Sequence, residues 1–270
     1  MIIADQTLAR RHERAAMAIE AEYARCHASL HPDQDIEVVA IADGAAVFAG
    51  VNSPMSQATG LGLDGPVAPM HVEALEEFYH RRGSAARVVV CPLADPSLFA
   101  TLGESGFVLG EFEQVLVRDL GHPREFLPDS RILVSQVTED DLDLYINTIG
   151  PNFTQDGIVT PEMREMMKAV FLMKNARVFL ARFDGEAAGG GTLLIHEGVA
   201  MLAGAATLPD HRNQGIHAAL FHARMVHALE LGCDLAVMGS VPGSGSQRNA
   251  ERKGFQVAYT KAIVAKPPTA

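Results

Sequence analysis

Positive charge is scarce in this chain: 22 lysines and arginines stand against 33 aspartates and glutamates over 270 residues, a formal net charge of −11. Such a field repels a long run of phosphates, so nucleic acid is excluded as an expected partner, while a cationic amine is tolerated. Cysteine is equally sparse. Cys26, Cys91 and Cys233 are odd in number and lack metal-type spacing, which excludes a disulfide framework and points to a reduced, cytoplasmic setting. No apolar run reaches the ~18 residues of a membrane span, so no membrane partner is expected. Residues 1–14 lack the basic-then-apolar layout of an export signal. The 11 histidines form no Ser-His-Asp or paired-histidine arrangement of convincing spacing, so neither a hydrolase triad nor a metal site is expected.

What is present is enough for two cores. Apolar residues make up 48% of the chain, and its length is that of two domains of ~130 residues. Breakers of mixed charge in Gly121-His122-Pro123 and Leu127-Pro128-Asp129-Ser130 place a linker at 123–130, between domains 1–122 and 131–270.

The most informative stretch runs Thr207-Leu208-Pro209-Asp210-His211-Arg212-Asn213-Gln214-Gly215-Ile216-His217. It joins a strand-like run, 199–207, to an apolar-periodic helix ending near Leu231. The first turn of a helix carries backbone N–H groups without intrahelical partners, plus roughly half a positive charge from the macrodipole. A diphosphate fits there if no side chain blocks its approach. Gly215 supplies the clearance and Arg212 a fixed positive charge. Taken alone, the pattern is equally that of a generic strand-to-helix turn.

The surrounding order decides between them. Upstream lie strands at 177–183, 188–195 and 199–207, joined by turns at Asp184-Gly185 and Glu197-Gly198. Downstream come a strand at 235–238, a loop of small residues, a short helix at 246–252 opened by Ser246, then Gly254-Phe255 and a strand at 256–264. This order, with Arg212-x-x-Gly215-x-His217, resembles the GNAT acyltransferase superfamily over about 131–266. The departure is His217, where that family has Gly or Ala.

The first half repeats the order at a spacing of about 148 residues: a helix at 70–82 closing on Gly83, strands at 36–41, 45–51 and 88–93, a helix at 96–104, Gly106-Phe107 and a strand at 108–117. Gly83 answers Gly232, and Gly106-Phe107 answers Gly254-Phe255. A hairpin turn is expected at Asp43-Gly44. The first copy lacks the anion turn: residues 60–69 hold an Asp and two prolines but no Arg-x-x-Gly. The fold expected is α/β (α+β): two GNAT-like domains, each a mixed, mostly antiparallel sheet flanked by helices, the first degenerate.

The resemblance implies an N-acetyltransferase moving an acetyl group from acetyl-CoA to an amine by direct attack, with no metal. Carried over by position, acetyl-CoA is held by Ala205, Ala206, Thr207, Arg212, Asn213, Gln214, Gly215, Ile216, His217 and Asn249. A backbone N–H of Ala206 polarises the thioester carbonyl. The tyrosine that relatives use to protonate the leaving thiolate falls at Ala250 here, and Tyr259 is the nearest substitute. His196 and Glu197 read as hairpin residues before they read as bases, and His222 and His227 as exposed helix positions. A lid facing the acceptor is expected at 147–157, with Phe153 and Asp156 as contacts. The alternative is a non-catalytic acyl-CoA-binding protein of the same fold. The acceptor's identity is open, and the chain is expected to be a monomer or homodimer.

Overall fold

The computed structural model describes residues 2–51, 53–121, 129–154 and 156–268. Most of the expected linker at 123–130 therefore lies outside the described residues. The chain forms two compact units, Met1–Arg118 with Gly239–Ala270, and Asp119–Met238.

The first unit opens with a long helix, α1 (Gln6–Leu30), capped by the Asp5 carboxylate, which accepts from the Leu8 N–H. Its buried positions recur every three to four residues, and they include His12, Glu13 and Glu20 among the alanines and Ile19. Strands β1 (Glu37–Ile41) and β2 (Gly44–Phe48) form a hairpin with Ile41 opposite Gly44. The turn is thus Ala42-Asp43, both at positive φ, one residue earlier than Asp43-Gly44. Gly44 is there for another reason: a Cβ would lie 2.7 Å from both Thr59 O and Leu61 N. Next follow β3 (Gln57–Thr59), α2 (Pro69–His80), β4 (Ala86–Val90), α3 (Pro96–Glu104) and β5 (Val108–Asp119).

In the second unit, β6 (Ile132–Gln136), α4 (Leu142–Ile149) and α5 (Pro161–Leu172) precede three long antiparallel strands. These are β7 (Ala176–Phe183), β8 (Glu186–His196) and β9 (Val199–Thr207), joined by two-residue turns at Asp184-Gly185 and Glu197-Gly198, every one at positive φ. Helix α6 (Ile216–Glu230) then leads to β10 (Leu235–Ser240), parallel to β9. The order in this unit is β6-β7-β8-β9-β10.

The last elements are α7 (Gly245–Arg252) and β11 (Gln256–Lys266). Sequence order assigns both to a continuous 131–270 domain, but the compact units divide the chain differently. Strand β11 pairs antiparallel with β4 on one edge and β5 on the other, giving the first unit the order β1-β2-β3-β4-β11-β5. The physical reason is burial: Tyr259 and Lys261 of β11 find their polar partners on α1. Each unit is a mixed, mostly antiparallel sheet flanked by helices, the parallel pairs being β3/β4 and β9/β10.

Candidate functional site

Strand β9 forks from its neighbour. Parallel pairing with β10 covers only Val199, Ala200 and Met201, whereas pairing with β8 runs on to Thr207. Between the facing pairs Thr192/Ala203 and Gly190/Ala206, β9 holds two residues, Gly204 and Ala205, where β8 holds one, Gly191. That is a β-bulge, with Gly204 at φ +54°.

The register also fixes which backbone groups face the open edge. The Leu208 N–H donates to Ala188 O at 2.9 Å. In an antiparallel ladder such pairs alternate with non-bonded ones, so Gly190/Ala206 is bonded and Gly189/Thr207 is not. The backbone of Ala206 is therefore engaged with β8. This corrects the expectation that Ala206 supplies a free N–H, and the alternation turns Ala205 and Thr207 toward the fork instead. The Thr207 hydroxyl is buried with no hydrogen-bond partner among the described residues.

Past Thr207 the chain makes a short 3₁₀ turn, Pro209–His211, and enters the corner. Asn213 sits at φ +62° and Gly215, the residue before α6, at φ +87°. The ladder of α6 begins with Ala219 N–H to Gly215 O at 3.0 Å, so the amides ahead of it have no acceptor inside the helix. Arg212, Asn213, Gln214 and Gly215 are exposed, and Gln214 folds back to donate to Asp210 O at 3.1 Å. Ile216 is buried, so only its amide can serve a ligand. The His217 ring lies against Phe221, one turn along the helix, with centroids 6.2 Å apart. An open amide corner, a fork on the strand leading to it and an orphaned hydroxyl between them suit a diphosphate carrying an extended amide-bearing arm.

Beneath the fork lies a feature missed at the level of sequence, Gly189-Gly190-Gly191 in β8. A Cβ at Gly189 would fall 2.6 Å from Ala206 O, at Gly190 2.7 Å from Tyr145 of α4, and at Gly191 3.0 Å from the guanidinium of Arg224 of α6. The triplet lets two helices close on the strand from opposite faces. Burial lowers Arg224 to about 10 and raises the Tyr145 hydroxyl, which pairs with Thr192 Oγ1 at 3.2 Å, to about 12. Three consecutive glycines inside a strand were the available signal.

The other expected residues belong to other elements. Asn249 is on α7, in the first unit, where its side-chain oxygen accepts from Arg252 at 3.2 Å. The cap of α7 is Ser244, whose hydroxyl accepts from the Gln247 N–H, and not Ser246. Tyr259 also belongs to the first unit. Its hydroxyl is buried between His12 and Glu13, and burial together with Glu13 pushes it far above the ordinary phenol range. Its hydroxyl is thus engaged with His12 and Glu13 inside its own unit. Phe153 is exposed, and the Asp156 carboxylate accepts from the Ile158 N–H, an ordinary loop bond. His196 lies 3.9 Å from Glu197, and His227 pairs with Glu230 on the surface of α6.

The corresponding corner of the first unit is closed. Leu61 and Leu63 are buried, Gly62 O accepts from the Asp95 N–H at 2.7 Å, and Asp64 pairs with Arg10 and Arg14. Helix α2 then starts with Pro69, which has no N–H to offer.

Residues 147–255 match the model of the acetyltransferase (GNAT) family. No curated protein matches the chain. Among solved structures it is similar to a GCN5-related N-acetyltransferase from Kribbella flavida, with 20% identity, a TM-score of 0.64, and coverage of 91% of this chain and 96% of that one. A functionally unknown conserved protein from Staphylococcus epidermidis superposes with TM-score 0.61 at 11% identity, covering 87% of this chain and 95% of that one. A tandem GNAT protein from the clavulanic acid biosynthesis pathway gives 0.61 at 14%, covering 84% and 80%. The fold is that of tandem GNAT proteins, and the segment 147–255 is a GNAT domain.

Proposed function

We propose that the second unit binds acetyl-CoA and transfers its acyl group to an amine. The observation that carries this reading is the pairing of the β9 fork with the open corner at Arg212–Gly215 on one continuous stretch of chain. The diphosphate takes the amides at the start of α6 and the charge of Arg212, and the pantetheine arm lies along the edge of β9 faced by Ala205 and Thr207.

The reaction is direct. The amine lone pair attacks the thioester carbonyl, a C–N bond forms, the oxygen becomes an oxyanion, and collapse breaks the C–S bond to release CoA thiolate. The proton on nitrogen passes to water. Holding both reactants converts a bimolecular step into a near-unimolecular one. An amide on the open edge of β9, from Ala205 or Thr207, donates to the oxyanion, a role worth roughly 3 kcal/mol. Thiolate is a good leaving group and departs without a side-chain acid, which fits the engagement of the Tyr259 hydroxyl with Glu13.

That same engagement favours a second reading, in which the unit binds acyl-CoA without transferring it. Calorimetry with acetyl-CoA, run beside a thiol-release assay over a panel of amines, separates the two. Turnover on any amine supports transfer; binding without turnover supports the second reading. Loss of binding on Arg212→Glu is expected under both, and unchanged affinity refutes the corner. A cytoplasmic setting is part of the same proposal, and no helix among the described residues is long and apolar enough to cross a membrane.

A further inference from the structure

Arg224 is 1% exposed and makes no ion pair with a carboxylate among the described residues. Its Nε donates to Leu220 O at 3.1 Å, one turn back on α6. Its Nη1 reaches into the sheet and donates to Thr192 O at 3.1 Å and Ala203 O at 3.3 Å. Thr192 and Ala203 are the facing pair that borders the bulge. Across from the bulge, the Cβ position of Gly191 would lie 3.0 Å from Cζ and Nη1 of Arg224 and 3.2 Å from the Ala205 Cβ. The guanidinium and Ala205 therefore pack over the same glycine, on the α6 face of β8.

A methionine or leucine at this position would pack without the desolvation penalty of a buried cation. A guanidinium offers something they cannot: a planar set of donors that binds two carbonyls at once with fixed geometry. A bulge locally disrupts the ladder, and Thr192 and Ala203 are the facing pair at its edge.

We propose that Arg224 is the positioning residue of the donor cleft: its guanidinium clips the Thr192 and Ala203 carbonyls and so sets the angle at which Ala205 and Thr207 face the fork. Arg224 acts through the backbone and touches no reacting atom. The proposal rests on reading the fork as the seat of an acyl-CoA arm.

The test compares the intact protein with Arg224→Met, Arg224→Lys and Gly191→Ala. The last keeps the cation but drives a methyl against it. Hydrogen–deuterium exchange over residues 202–208 reads the clip without any ligand, and calorimetry reads the affinity for acetyl-CoA. Expected are at least tenfold faster exchange and at least tenfold weaker binding in Arg224→Met. Arg224→Lys recovers both to within about threefold, and Gly191→Ala falls between. Unchanged exchange and affinity in a folded Arg224→Met protein overturn the proposal. So does a Lys variant as impaired as the Met variant. If Arg224→Met does not fold, Gly191→Ala decides alone: exchange and affinity equal to those of the intact protein overturn the clip. Failure of the unaltered protein to bind acetyl-CoA is a separate result, and strikes the donor-site reading itself.

Discussion

The Tyr259 hydroxyl donates a 2.9 Å hydrogen bond to Oε1 of Glu13, joining the last strand to the first helix across 246 residues. The same carboxylate oxygen meets Lys261 Nζ at 3.0 Å and His12 Nδ1 at 3.2 Å. Burial alone would raise the Glu13 carboxyl, but Lys261 and His12 outweigh it and bring it down to about 2. His12 moves the other way, lowered by burial and the Lys261 charge against the pull of Glu13, and because the Tyr259 hydroxyl donates to Glu13, its 2.8 Å contact with the Tyr259 oxygen is a donation from Nδ1–H.

This network locks β11 between β4 and β5. Glu13→Gln leaves the Lys261 ammonium buried without its counter-charge, and the expected loss is ~3–5 kcal/mol of stability. Tyr259→Phe removes one buried donor and costs about 1–2 kcal/mol. Chemical denaturation followed by circular dichroism measures both. A Glu13→Gln protein as stable as the parent would show that the ion pair does not hold the strand.

Glu20, two turns along α1 from Glu13, gives stability an unusual pH dependence. Burial raises its carboxyl from 4.5 to about 7, against the opposing hydrogen bond from Gln57. Between pH 4.5 and 7 the unfolded chain loses this proton while the folded one keeps it. Stability contributed by Glu20 therefore falls as pH rises across that window, by up to roughly 3 kcal/mol. Glu13, depressed in the fold, works in the opposite direction and loses its contribution as pH falls from 4.5 toward 2. Glu20→Gln is expected to flatten the decline and gain stability at pH 8, with little change at pH 4.5. Denaturation midpoints at the two values check it, and equal slopes in parent and variant would refute the assignment.

What was legible in the sequence was local. Asp184-Gly185, Glu197-Gly198 and Arg212-x-x-Gly215 each declare themselves within four residues, because a positive φ or a helix start is decided by neighbours. The partnership of Ala262 with Val90 has no such local cause, so chain order alone could only place β11 after β10 in the second half. Helix α1 was missed because its buried face carries His12, Glu13 and Glu20, polar residues that hide the apolar period. Arg224 was invisible for a similar reason: it occupies an inward position of α6 beside Leu220, Phe221 and Met225.

Thr207 offers a test in which stability and binding move in opposite directions. Its buried hydroxyl has no partner, so Thr207→Val removes an unsatisfied group and is expected to stabilise the free protein by ~1 kcal/mol. If the hydroxyl serves the donor's arm, affinity for acetyl-CoA falls by about 3–10-fold in the same variant. A thermal melt and a calorimetric titration on one preparation give both numbers. Affinity that rises along with stability would place the arm elsewhere.

Two glycines of the fork should fail for different reasons. Gly204 has no atom nearer than 3.6 Å to the position of a Cβ, so Gly204→Ala meets only the left-handed backbone at φ +54°. The expected cost is about 1–2 kcal/mol, with the fold retained. At Gly189 φ is ordinary, but a Cβ would stand 2.6 Å from Ala206 O, a backbone atom held in the β8–β9 ladder. That oxygen cannot swing aside as a side chain would, so Gly189→Ala must push β9 away from β8. A loss larger than that of Gly204→Ala is expected, roughly 3 kcal/mol or more in line with overpacked cores. It should be accompanied by loss of acetyl-CoA binding, because the strand that moves is the one that carries the fork. Thermal melts of the two variants give the ranking, and a Gly189→Ala protein more stable than Gly204→Ala would mean that the two strands are not packed as tightly as their register requires.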